Sequence, residues 1–321
     1  MPVNPVDASY GDLAYNTALV LYLFAMVLHA VEYAAGRAPA LAAQASVAPG
    51  RTADGSVTTL APPAEAPHPG RARSERFGRS AVAITVLAAL VHATSLTLRG
   101  LAIGRVPWGN MYEFASAVCL VAVSAWLIVQ YRQRHAAPGL RRLGVFVLLP
   151  VVVLLFLGGT VLYAKAEPLI PALNSYWITI HVTAAATASG ILLVSGVASV
   201  LYLVRQQAGA AAWADRLPGS ATLDRLAYRT AVVALPIWTF AIMTGAIWAE
   251  AAWGRYWGWD PKETCSLVAW VIYAGYLHAR ATAGWRGSRA AWINVVGLAA
   301  MLFNLFFVNI VIAGFHSYAG I

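Results

Sequence analysis

Long apolar runs separated by short polar stretches set the pattern of this chain. Eight runs are long enough to cross a bilayer at about 1.5 Å per helical residue. They lie near residues 14–35, 80–98, 111–130, 143–164, 176–204, 229–249, 262–282 and 290–313. The pattern therefore predicts an all-α, polytopic integral membrane protein with about eight transmembrane helices.

The composition indicates the same class and argues against a soluble domain. Hydrophobic residues make up 60% of the chain and charged residues only 11%, whereas soluble domains carry about 25% charged residues. The net charge of +9 is spread over short loops between apolar runs, which argues against nucleic acid as the partner. The two cysteines form no CxxC pair, so neither a thiol-redox role nor a zinc site is indicated.

The distribution of Lys and Arg predicts the orientation of the chain. With the N-terminus outside, seventeen of these residues fall in the inside loops and five in the outside segments. Cytoplasmic loops carry the excess of positive charge in membrane proteins. We therefore expect both termini outside and a multi-pass protein of the cell membrane. The loops around 99–110 and 165–175 and the Trp-rich segment at 248–264 then lie on the extracytoplasmic face.

The stretch between the first two runs differs from the rest of the chain. Residues 36–79 are rich in Ala, Pro and Gly and lack periodicity, so we interpret them as a flexible cytoplasmic linker. The predicted organisation is a first transmembrane helix at 1–35, this linker, and a seven-helix membrane domain at 80–321.

A cluster of aromatic residues is the most informative local feature. Trp248, Trp253, Trp257 and Trp259 fall within twelve residues, together with Tyr256 and interleaved glycines. An aromatic belt at the membrane interface explains one or two tryptophans. Four, with glycines that allow a close approach to the backbone, favour a surface for a large flat ligand.

The residues that follow predict a helix start. Asp260 can cap the helix, Pro261 suits its first position, and Glu263 can complete a capping box. Capping alone would explain both acids without any contact to a ligand.

Five histidines are candidate ligands. His181, near the start of the fifth run, and His316, after the eighth, are expected at the same face as the tryptophans. Each alone is explained by a local hydrogen bond, but a pair level with an aromatic surface favours haem, whose iron takes axial imidazoles. His278 lies about 17 residues into the seventh run, roughly 25 Å deep, where polar groups usually have a function. His29 and His92 are weaker candidates.

With these residues in hand, the chain resembles the CcsA/ResC family (CcsB in actinobacteria), the haem-handling subunit of the System II cytochrome c synthase. The family's Trp-rich (WWD) motif matches residues 253–264, Trp-Gly-Arg-Tyr-Trp-Gly-Trp-Asp-Pro-Lys-Glu-Thr. Its flanking histidines match His181 and His316, and its membrane histidine matches His278. A loop motif matches Pro107-Trp-Gly-Asn-Met-Tyr-Glu113. The resemblance covers roughly residues 80–321.

The resemblance implies a function in cytochrome c biogenesis. Haem b would move outward from His278, the ligand of a membrane haem iron, to an external site where His181 and His316 ligate the iron. Other binding residues would be Trp248, Trp253, Tyr256, Trp257, Trp259 and Asp260. An apocytochrome c would receive the haem on its CxxCH segment, and a ResB/Ccs1-type membrane protein would complete the holocytochrome c synthase. No residue is assigned an acid or base role in catalysis.

Two other functions remain open from the residues alone. A haem exporter would release haem without attaching it. A membrane electron-transfer protein would hold haem permanently between two helices within the membrane. An ordinary transporter is less favoured because we find no internal repeat.

Overall fold

The structure is a bundle of long helices. The computed structural model describes residues 3–35, 69–168, 173–209, 211, 213–282, 284–312 and 314–316, and these contain no β-strand. The helices are α1 (Pro5–Ala35), α2 (Pro69–Ile103), α3 (Met111–Arg132), α4 (Gly144–Thr160), α5 (Tyr176–Ala208), α6 (Ser220–Trp253), α7 (Pro261–Ala281), α8 (Ser288–Leu302) and α9 (Val308–Val311). A 3-10 helix, Pro138–Leu143, precedes α4, and a π-helical turn, Phe303–Phe307, joins α8 to α9.

Each predicted apolar run corresponds to a helix, and the prediction of a multi-pass, all-α membrane protein is confirmed. Seven helical segments of the described chain are long and apolar enough to span a membrane: α1 to α6, and the continuous unit 288–311. The helix α7 has 21 residues. It does not reach the same hydropathy because charged residues stand near both of its ends, at Lys262, Glu263 and Arg280.

Two helices extend beyond their apolar runs. Residues 69–79, which we expected in the linker, belong to α2, and residues 36–68 lie outside the described residues. The helix α6 continues to Trp253 because Glu250 and the alanines after it favour helix. It ends at Gly254, where φ is 70° and the amide donates to the carbonyl of Glu250.

The centre of the bundle is α5. It packs against α3, α6 and α8 and is the most buried of the spanning helices. Its small residues allow close helix approach, and Asn294 of α8 donates to Ser195 Oγ at 2.9 Å and to Ser199 Oγ at 2.8 Å. Such polar contacts hold helices together where water is absent.

The loop motif at 107–113 and the Trp-rich segment before α7 lie at the same end of the bundle, here called the aromatic end. There the Arg99 guanidinium donates to the carbonyl of Ala164 at 2.6 Å, and Trp108 Nε1 donates to Thr183 Oγ1 at 3.0 Å. At the opposite end, Arg280 pairs with Asp224. The alternation of helix direction thus brings loops distant in sequence to one place.

Candidate functional site

A cleft opens at the aromatic end between α3, α5, α6, α7 and the continuous unit 288–311. Its empty space, counted with the open mouth, is about 1090 Å³. The walls are mainly apolar and aromatic, and they include Trp108, Phe114, Trp238, Trp248, Trp257 and Met301. His181 and His316 both line this cleft.

His181 is held rigidly on the second turn of α5. Ser175 caps this helix by accepting a hydrogen bond from the amide of Trp177. His181 Nδ1 lies 2.7 Å from the carbonyl oxygen of Ala241 on α6, so Nδ1 carries the proton and the lone pair is on Nε2. The ring lies so close to Gly245 that a Cβ there would be 2.7 Å from it. Glycine at 245 is therefore required for this placement.

His316 is oriented by a carboxylate from another element. Its Nδ1 lies 2.8 Å from Asp260 Oδ2, and the neighbouring amide of Phe315 donates to Asp260 Oδ1 at 2.8 Å. A Cβ on Gly314 would lie 2.6 Å from Asp260 Oδ1, so only glycine allows this approach. The bond fixes the proton on Nδ1 and the lone pair on Nε2, as at His181.

The charges of this pair are fixed by burial and hydrogen bonding. Burial lowers the pKa of His316 by more than the hydrogen bond to Asp260 raises it, so the ring is neutral at pH 7. For Asp260, burial would raise the pKa, but the hydrogen bonds from His316 and from the Phe315 amide outweigh it and hold the pKa below its usual range. A neutral imidazole on a carboxylate is the arrangement found behind metal-binding histidines.

The tryptophans of the cluster have different environments. Trp248 is 1% exposed, stacks on His181 with ring centroids 6.1 Å apart, and meets His316 edge-on at 5.7 Å. Trp253 contacts Trp248 at 4.7 Å and His316 at 5.0 Å. Trp257 lines the cleft, whereas Trp259 is 68% exposed and does not. The cluster is therefore partly a buried support for the histidines and partly a cleft wall.

Two further residues of the aromatic cluster have a defined place. Tyr256 lines the cleft and is largely exposed. Trp259 has a φ of 57°, the only positive value among the non-glycine residues that the structure describes. A left-handed backbone costs about 1–2 kcal/mol for such a residue, so the turn before α7 is strained.

The predicted helix start at Pro261 is confirmed, with a complete capping box. Asp260 accepts from the amide of Lys262, and Glu263 Oε2 accepts from the amides of Gly258 at 2.8 Å and Asp260 at 3.1 Å. Because the Asp260 carboxylate also bonds His316, it has a second role besides the cap that the sequence indicated.

The loop motif at 107–113 forms a buried ionic cluster around Glu113. This carboxylate is fully buried and pairs with Arg99 Nε at 2.8 Å and with an Arg105 nitrogen at 3.1 Å. It also accepts from the amide of Gly109 at 2.7 Å, and Asn110 caps α3. The cluster fixes the loop that places Trp108 in the cleft wall.

Comparison with known proteins identifies the family. The model of the Cytochrome C assembly protein family matches residues 108–316, which contain the whole cleft. The chain belongs to this family. Similar relatives are named cytochrome c biogenesis protein CcsA. One from Heterosigma akashiwo (strain NIES-293) is 32% identical over 66% of this chain and 76% of its own length. One from Parasynechococcus marenigrum (strain WH8102) is 31% identical over 73% and 85%. A third, from Chlamydomonas reinhardtii, is 40% identical over 48% of this chain, and the match spans 44% of that relative.

Not every predicted ligand of this cytochrome c assembly protein lies in the cleft. His278 is exposed on the surface of α7, three residues before that helix ends. His92 is buried and its Nε2 lies 2.8 Å from Ser116 Oγ. His29 is buried beside Trp126 and 3.6 Å from Glu32. These two histidines are internal contacts of the N-terminal helices.

Sequence reasoning did not find several cleft residues. Lys262 lines the cleft, although in the sequence it appears only as one residue of the Trp-rich motif. Ser189 and Asn304 also line it, and Ser189 Oγ and Asn304 Oδ1 have no hydrogen-bond partner among the described residues. Asn304 lies in the π-helical turn, and such turns are frequent at functional sites. The only sequence signal for Ser189 and Asn304 is that each is a polar residue within an apolar run.

Proposed function

We propose that this chain holds haem b in the cleft and presents it at the extracytoplasmic face for attachment to apocytochrome c. The observation that carries the proposal is the pair of imidazoles, His181 and His316, which line one aromatic cleft with both Nδ1 protons engaged. Haem iron takes two axial imidazoles through such nitrogens. The aromatic lining of the cleft suits a planar porphyrin.

The residues of the chain would act by positioning. His181 is fixed by α5 and His316 by Asp260, so both Nε2 lone pairs are oriented before the ligand arrives. The indoles of Trp248 and Trp257 would exclude water from the porphyrin faces. Haem supplies two vinyl groups, and each cysteine thiol of a CxxCH segment would add across one of them to form a C–S and a C–H bond. Alignment alone can accelerate such a reaction greatly.

His278 supports a second step of the proposal. His278 is exposed on the last turn of α7, so its imidazole is accessible to a partner at that end of the bundle. We propose that a ResB-type membrane protein covers this surface and that haem binds there before it reaches the cleft. The complete holocytochrome c synthase would then be this chain together with that partner.

The proposal is tested with the full chain purified with and without a ResB-type partner. We expect a six-coordinate haem spectrum and thioether formation on a CxxCH peptide. His181→Ala and His316→Ala should each change the spectrum and abolish attachment, with partial restoration by imidazole. His135→Ala, at an exposed histidine distant from the cleft, is the matched control. Unaltered spectra and attachment in both cleft variants would contradict the proposal.

His278→Ala tests the membrane step separately. It should lower the haem content of the complex while leaving the cleft spectrum unchanged for haem added in solution. Unchanged loading in cells would argue against an entry role. Haem release into solution without attachment would indicate an exporter, and reversible redox cycling with a quinone would indicate electron transfer.

A further inference from the structure

Lys262 is the only lysine among the residues that line the cleft, and no acid of the described part of the chain forms an ion pair with it. Its Nζ donates to Asn309 Oδ1 at 2.6 Å. No carboxylate of the described residues lies within 4 Å of this nitrogen. An ammonium has three N–H donors, so one neutral acceptor leaves most of its bonding capacity unused, and the Asp260 carboxylate acts on its charge only from beyond ion-pair distance.

The nearest acids are engaged elsewhere. Asp260 accepts from His316, from the Phe315 amide and from the backbone of Lys262. Glu263 Oε2 accepts from two backbone amides and lies 3.8 Å from the Arg255 guanidinium. Both acids therefore serve the helix cap, and neither forms an ion pair within 4 Å with the Lys262 side chain.

The position of the Lys262 ammonium is fixed by Asn309, whose own side chain is held by two hydrogen bonds. Asn309 of α9 donates to the carbonyl of Leu305 at 2.7 Å and to the sulfur of Met111 at 2.8 Å, which leaves its Oδ1 for Lys262. The ammonium is thus held on the cleft wall rather than free to turn to solvent. A cation in a largely apolar cleft is stabilised when an anion binds beside it.

We infer that Lys262 binds a carboxylate of the ligand, a propionate of haem, and thereby sets the orientation of the porphyrin in the cleft. This inference rests on the proposed haem function. The two propionates of haem occupy one edge of the ring and the vinyl groups lie away from that edge. Binding a propionate at Lys262 would turn the vinyl groups away from α7, so that Lys262 selects which part of the porphyrin the thiols meet.

The test compares haem with haem dimethyl ester, in which both propionates are uncharged. Affinities are measured by absorbance titration of the full chain in nanodiscs, for the wild type, Lys262→Gln and Lys262→Arg. Lys165→Gln is the control, because Lys165 is the other lysine of the chain and is exposed at the aromatic end.

We expect Lys262→Gln to weaken haem binding tenfold or more, as for loss of a charged hydrogen bond. It should leave binding of the ester unchanged, and Lys262→Arg should retain most of the affinity for haem. Equal weakening of haem and ester would mean that Lys262 only joins α7 to α9, and no weakening of either would also overturn the inference. If the wild type itself binds no haem, the proposed function fails as well, so the two failures are distinguishable.

Discussion

Replacement of Asp260 by Asn separates the support of His316 from the helix cap. The carboxylate accepts three hydrogen bonds, from His316 Nδ1 at 2.8 Å, the Phe315 amide at 2.8 Å and the Lys262 amide at 3.2 Å. Asparagine keeps one acceptor oxygen but turns the other position into a donor. The amide can therefore retain the bond from Phe315 or those from His316 and Lys262, but not both sets.

The expected magnitude follows from the bonds that are lost. A hydrogen bond to a charged group contributes about 1.5–3 kcal/mol, and a helix cap about 1 kcal/mol. Loss of a partner behind a metal-binding histidine lowers metal affinity about 10- to 100-fold. We therefore expect Asp260→Asn to weaken haem binding within this range and to raise the reduction potential of bound haem, since His316 then donates less charge to the iron.

The assay is a haem titration with a potentiometric measurement, accompanied by thermal unfolding. Glu263→Gln is the matched control, because Glu263 lines the same cleft and completes the same cap but makes no hydrogen bond to His316 among those described. It should lower thermal stability and leave affinity and potential near the wild-type values. The reasoning would be refuted if Asp260→Asn altered only stability, or if Glu263→Gln lowered haem affinity as much as Asp260→Asn.

Three further predictions concern the surroundings of the cleft. Glu113→Gln leaves Arg99 and Arg105 without their buried counter-charge. The free energy of unfolding, measured by denaturant titration, should therefore fall by about 3–5 kcal/mol. A decrease below about 1 kcal/mol would mean that the ionic cluster is not stabilising. Trp257→Ala should weaken haem binding because this ring lines the cleft, whereas Trp259→Ala should not, because Trp259 is exposed outside it. Haem titration of both variants tests this, and equal affinities of the two variants would contradict it. In the haem-free chain, NMR of labelled histidine should place the pKa of His316 below about 6.5. Haem affinity at this ligand is then retained at neutral pH and lost as the pH falls through that pKa, whereas a pKa above 7 would mean that the Asp260 charge outweighs burial.

The sequence predicted the features that depend on neighbouring residues. Apolar length predicted the spans, and the spacing of Asp260, Pro261 and Glu263 predicted the helix start. Helix alternation brought His181 and His316 to the same end. These features follow from local composition and from chain direction, which are visible without coordinates.

The features that depend on distant residues could not be predicted. The acceptor for His181 is a backbone carbonyl on α6, and backbone carbonyls leave no signature in a sequence. The end of α6 was also missed, because the apolar run stops at Ala249 while the helix continues through residues that favour it. The position of the Lys262 side chain in the cleft could not be predicted for a different reason: its ammonium is held there by a hydrogen bond to Asn309, which is distant in sequence on α9.

The buried cluster around Glu113 has a consequence for how the chain is made. Glu113 and Arg99 are both buried, yet they stand on successive helices joined only by residues 104–110. Arg99 also lies 3.8 Å from Asp12 of α1, but Glu113 pairs only with Arg99 and Arg105 among the described residues. If α3 were inserted alone, the Glu113 carboxylate would be uncompensated, which is unfavourable by about 2.5–3.5 kcal/mol at the membrane centre and less near the interface. We therefore expect α2 and α3 to enter the membrane together as a helical hairpin, with the ion pair already formed as they leave the insertion machinery.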